Sequence, residues 1–160
     1  MKVEDRLKEY KANISKINLL NVEEKELLRQ LELNKPSYIT AAHISDTPPS
    51  KTNKFSSQVE NFVIEQEKLD KRNNQIRIRL AEIAEERFRY QCQIDRVDAL
   101  LDCLGAEERF IVEKFYFDKL KMRYVQEEYK KRFGEYRETK TLQLIKKNAL
   151  QKMQKIKGSA

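Results

Sequence analysis

The sequence predicts an all-α protein, a long coiled-coil helical arm followed by a small three-helix domain at the carboxyl end. Three observations predict it. Glycine and proline number only three each in 160 residues, tryptophan is absent and 37% of residues are charged, the composition of a helix-rich chain with much solvated surface. Apolar residues recur at heptad spacing from residue 57 to residue 104, whereas strand-like alternation is nowhere sustained. Charge is distributed unevenly: 18 Lys+Arg face 18 Asp+Glu from Met1 to Gly105, but 15 face 8 from Ala106 to Ala160, so the net +7 lies wholly in the last third.

Residues 1–33 read as an amphipathic helix. Val3, Leu7, Tyr10, Ile14 and Ile17 fall at alternating steps of four and three, and Leu28 and Leu31 keep the register. Asn21 followed by Glu24 has capping-box character and allows a break near Asn21. Met1 to Tyr10 alternates charge with single apolar positions, and no later run approaches membrane-spanning length, so a cytoplasmic protein with no membrane partner is expected.

Residues 34–56 lose periodicity and hold Pro36, Pro48 and Pro49 among several Ser and Thr, which marks a linker. His43, the single histidine, sits there without a Cys or carboxylate at ligand spacing and reads as an incidental loop residue. Cys92 and Cys103 are eleven residues apart in helical pattern, which is neither a metal nor a disulfide spacing; they read as free thiols, buried or half-buried. No metal and no cofactor is expected.

Residues 57–104 form the long heptad helix, opened by a second capping box, Ser57 with Glu60. Its seam runs through Val59, Phe62, Leu69, Ile76, Leu80, Ile83, Tyr90, Ile94, Val97, Leu101 and Leu104, with Gln66, Asn73 and Arg87 in the remaining seam positions. Each large apolar side chain left in water forgoes about 1.5–3 kcal/mol of burial, so the seam needs a partner helix. Three partners satisfy it: the chain's own amino-terminal helix folded back, a second copy giving a homo-oligomer, or both in a four-stranded assembly. Asn73 either fixes the register of that pairing or is a tolerated polar seam residue.

Residues 105–157 form the carboxyl-terminal domain. Gly105 reads as a helix stop, after which Ala106 to Leu120 offers Phe110, Ile111, Phe115 and Phe117 to a core. A second helix, Arg123 to Phe133, places Val125, Tyr129 and Phe133 four residues apart and ends at Gly134. A third begins near Glu138 and aligns Leu142, Ile145, Ala149, Met153 and Ile156. Three short helices with a glycine-containing turn before the last is the helix-turn-helix order. The opposite face of the third helix carries Thr139, Lys140, Gln143 and Leu144 as candidate readers of base edges, with Arg137, Lys146, Lys147, Lys152 and Lys155 as candidate phosphate contacts. Double-stranded DNA is the partner this pattern favours.

Leu101 to Met153 also resembles the region-4 helix-turn-helix of sigma factors. Ala106-Glu107-Glu108-Arg109 stands where that family opens its first helix, and Thr141-Leu142 is followed by Ala149-Leu150-Gln151-Lys152-Met153. The wider layout, with Ser56-Ser57-Gln58-Val59-Glu60 opening the heptad helix after the linker, is similar to the ArpU/RinA-type late-gene transcription regulators of phages and prophages of Gram-positive bacteria. The resemblance covers about two thirds of the chain. It implies a transcription activator that touches host RNA polymerase and places base reading on Thr139, Lys140, Gln143 and Leu144. The stretch from Tyr129 through Gly134 to Leu142 is longer than the usual sigma turn.

Two other readings remain open. A phage terminase small subunit joins the same two modules to recognise packaging DNA, and a coiled-coil adaptor would use its basic end on an acidic protein. An enzyme is not expected. There is no phosphate-gripping glycine loop, and Glu85-Glu86, Glu107-Glu108 and Glu127-Glu128 are adjacent pairs, which diverge on a helix.

Overall fold

The computed structural model describes residues 2–34 and 54–158, without the side chains of 54–61 and 157–158. The linker with its prolines, His43, the Val59 side chain and the Ser57–Glu60 side chains lie outside the described set. The chain is all-α. α1 spans Val3–Leu33, α2 Lys54–Leu101, α3 Ala106–Val112, α4 Met122–Phe133 and α5 Thr139–Gly158, and α3 runs directly into a π-helical turn, Glu113–Phe117. α1 passes Asn21 unbroken.

Two boundaries of the long helix differ from the sequence expectation. α2 begins at Lys54, so Ser57 lies inside the helix and does not open it, and it ends at Leu101 rather than Leu104. Gly105 is therefore not its stop. It is the residue before α3, in extended conformation, and its N–H donates to Glu108 Oε2 at 3.1 Å, which satisfies one of the donors a helix start leaves open.

The chain divides into two compact units, one of Leu20–Glu86 and one of Met1–Leu19 with Arg87–Ala160. In the first unit the carboxyl half of α1 lies antiparallel to α2. Leu20, Ile76 and Ile83 are buried, with Leu27, Leu31 and Leu80 half-buried beside them. Arg79 grips Glu23 through Nε at 2.8 Å and Nη2 at 3.2 Å, and reaches Glu82 and Glu86 along its own helix. Asn34 Nδ2 donates to Asn73 Oδ1 at 3.1 Å, so this polar seam residue has a specific partner within the chain.

In the second unit the start of α1 is antiparallel to the end of α2. The hydroxyl of Tyr10 donates to Asp98 at 2.7 Å, Asn13 Nδ2 donates to Gln93 Oε1 at 2.9 Å, and the Lys16 ammonium lies over the Tyr90 ring. The described seam residues in both units are half-buried or buried, as the heptad pattern requires. α1's stripe runs one residue off from the expected register after Tyr10. Asn13, Leu20 and Leu27 face inward, while Ile14 and Leu28 are exposed.

One core of this unit joins arm and carboxyl-terminal domain. Val3 and Leu7 of α1, Val97, Leu100 and Leu101 of α2, Val112 and Tyr116, and Ala149, Leu150 and Met153 of α5 form a single buried cluster. The expected boundary at residue 105 is therefore a turn in the chain and not a gap between cores. α3 is shorter than Ala106–Leu120 because the backbone widens into the π-helical turn at Glu113, which brings Tyr116 inward and leaves Phe115 and Phe117 at the edge of the cluster.

Candidate nucleic-acid interface

α3, α4 and α5 close around a second cluster. Ile111, Val125, Tyr129 and Leu142 are fully buried there, with Phe110, Leu120, Met122, Phe133 and Ile145 packed on them. Phe110 meets Phe133 edge-on at 5.4 Å between ring centroids. α4 stops where Gly134 adopts φ +74°, a left-handed conformation that glycine enters without penalty, and its N–H bonds to Lys130 O at 2.9 Å. Gln126 Nε2 then donates to the carbonyl of Arg137 at 2.7 Å, holding the incoming strand against α4 just before α5 begins.

That framework orients α5. Leu142, Ala149, Leu150 and Met153 are buried, so the faces roughly opposite point outward. Lys140, Gln143, Leu144 and Lys147 are exposed together there, and Thr139, the first residue of α5, is half-buried. Ile156, expected on the core face, is 42% exposed near the helix end. The exposed face presents two ammonium groups, one amide that both donates and accepts, and one apolar contact, which are the elements used on base edges in a major groove. Among the described residues neither Lys140 nor Lys147 has a carboxylate partner.

The candidate phosphate contacts do not share one situation. Lys147 and Lys155 are exposed. Arg137 is held by Glu135 at 3.2 Å and Glu107 at 3.6 Å, which raise its already high pKa together with the neighbouring Tyr129. Lys146 leans its ammonium over Phe115, 3.7 Å from the ring centroid. Lys152 is bound to Glu108 at 2.5 Å, and that bond holds the Glu108 carboxyl below its ordinary pKa. Lys152 would reach a phosphate only by releasing Glu108.

A second basic cluster was not singled out by pattern. Lys119 and Lys121 flank Leu120 ahead of α4, and with Lys8 of α1 they line a cleft of about 470 Å³ with Phe115 and Tyr116. The absence of acidic residues between Lys119 and Gln126 was the available signal for two of them; nothing local in sequence marks Lys8. Cys92 is half-buried as expected, whereas Cys103 is exposed. Among the described residues no group of three or more His, Cys, Asp or Glu could hold a metal ion, and no helix is long and apolar enough to cross a membrane. No family model, curated protein or solved structure matches this chain.

Proposed function

We propose that the protein is a sequence-specific DNA-binding transcription regulator in which α5 enters the major groove. The observation that carries the reading is the exposed set Lys140, Gln143, Leu144 and Lys147 on the helix that follows a glycine-capped turn, within the third of the chain that holds the whole charge excess. Thr139, Lys140, Gln143 and Leu144 read bases, and Lys147 holds a phosphate. The resemblance to ArpU/RinA-type regulators supports a phage or prophage late-gene activator that works with host RNA polymerase in the cytoplasm. No catalysis or cofactor belongs to this reading.

A homo-oligomer is part of it. α1 ends at Leu33, and Phe62, Gln66 and Leu69 continue the α2 seam beyond the Asn34–Asn73 contact, where a second copy would join. Two joined copies would read two half-sites at a set spacing. Two substitutions test the reading. Lys147→Ala should weaken binding to all duplexes and flatten the salt dependence, whereas Gln143→Ala should relax sequence choice. Equal effects of both on selected and random DNA would count against it.

A further inference from the structure

We infer that the cleft between the root of α1 and the turn ahead of α4 grips a backbone phosphate of the duplex that α5 reads, with Lys8 of α1 as one of its ligands. The inference rests on the DNA reading above and adds a contact from outside the helix-turn-helix. Lys8, Lys119 and Lys121 are exposed and line the cleft, with Phe115, Tyr116 and Leu120 as the other lining residues. No carboxylate lines it. Glu4 and Asp118, the acids bonded to these segments, are already engaged: Glu4 accepts from the Tyr116 hydroxyl at 3.0 Å, and Asp118 accepts from Lys11 at 2.9 Å and Lys114 at 3.0 Å.

Three ammonium groups on an apolar, aromatic floor attract a compact anion, because the floor lowers the local dielectric and each lysine acts as a point charge. Two local departures build the site. The π-helical turn Glu113–Phe117 presents Phe115 and Tyr116, and Lys119 holds φ +53°, a left-handed conformation that a non-glycine residue keeps only when its surroundings impose it. Continuity with α5 chooses a nucleic-acid phosphate over a protein carboxylate. Lys146 of α5 sits over both cleft aromatics, 3.7 Å from the Phe115 centroid and 5.8 Å from that of Tyr116, and it is the helix neighbour of Lys147. A strand leaving the groove beside Gln143 and Lys147 therefore passes Lys146 and meets the cleft.

The test compares full-length variants on a mixed-sequence duplex by fluorescence anisotropy over a range of salt. Lys8→Gln with Lys121→Gln should make the slope of log K against log salt shallower by about 1 to 2, since each phosphate contact contributes about 0.9. The preferred sequence should stay the same, and Lys8→Arg with Lys121→Arg should keep the wild-type slope. Lys68→Gln with Lys71→Gln, an equal loss of charge on exposed positions of α2, should leave the slope unchanged. A wild-type slope in the Lys8/Lys121 pair, with circular dichroism intact, would overturn the cleft assignment while leaving α5 as the DNA reader. Equal flattening by the Lys68/Lys71 pair would also overturn it. Failure of the wild-type protein to bind duplex at low salt would remove both this inference and the reading beneath it.

Discussion

The Tyr10 hydroxyl donates to Asp98 Oδ1 at 2.7 Å while its ring stacks on Phe117 with centroids 4.4 Å apart, so one side chain ties the start of α1 to the end of α2 and to the π-helical turn. Burial, and then Asp98, pushes the phenol up to about 12. Tyr10→Phe should cost about 1 kcal/mol in urea unfolding, the net worth of one hydrogen bond with some penalty for the stranded Asp98. The raised phenol stabilises the fold fully below its ordinary value of 10.0 and loses that contribution as pH rises to about 12. The stability difference between wild type and Tyr10→Phe should shrink over that window.

Tyr129 predicts the opposite sign. Its ring is fully buried in the helix-turn-helix core, and its hydroxyl has no partner of hydrogen-bonding geometry among the described residues. Burial first, and the nearby Glu107 carboxylate next, raise its pKa. A buried hydroxyl without a partner carries a desolvation penalty of about 1–3 kcal/mol. Tyr129→Phe should therefore leave the melting temperature unchanged or raise it; a clear fall would mean that Glu107 holds the hydroxyl in solution.

Gly134 separates backbone from packing. Nothing lies within 4 Å of where a Cβ would stand, so Gly134→Ala meets no clash and pays only for φ +74°. The expected loss is about 1 kcal/mol, and Gly134→Asn should lose less, because asparagine tolerates the left-handed region. Equal losses for the two substitutions would show that something other than the backbone is strained.

Lys152 distinguishes a structural lysine from a DNA-binding one. Its bond to Glu108 keeps that carboxyl below the ordinary value of 4.5, so the pair stabilises the fold above that pH and ceases to as pH falls through the depressed value. Lys152 is 56% exposed, which limits the pair to less than about 1 kcal/mol. Lys152→Ala should show a small stability loss at neutral pH that disappears in acid, with the DNA salt slope nearly unchanged. A slope as flattened as that of Lys147→Ala would place Lys152 on a phosphate.

The heptad seam was legible because strict spacing leaves a helix one way to bury it, and Ile76, Ile83, Ile94, Val97 and Leu101 are buried accordingly. The face of α1 was less so. Leu19-Leu20 and Leu27-Leu28 are doublets that fit two registers one residue apart, and the deciding residue, Asn13, is polar and buried against Gln93. Val125, Tyr129, Leu142, Ala149 and Met153 were read correctly from helical spacing alone. The fused core was not visible, since Leu7 and Met153 lie far apart in sequence and no local pattern records that they share a cluster. The same limit applies to the site. The outward face of α5 follows from periodicity, but the capture of Lys146 by Phe115 and of Lys152 by Glu108 depends on elements more than thirty residues away.

The fused core also decides how the central claim is tested, because cutting the chain at Leu104 would expose Val97, Leu100 and Leu101 and unfold the control. The measurement is selection from random duplex DNA by the full-length protein at two salt concentrations, beside Gln143→Ala and Lys147→Ala. The account predicts a consensus for the wild type at both salts, relaxed by Gln143→Ala at specific positions and weakened uniformly by Lys147→Ala. No enrichment, and no duplex binding even at low salt, would contradict it and leave the basic end to an acidic protein partner.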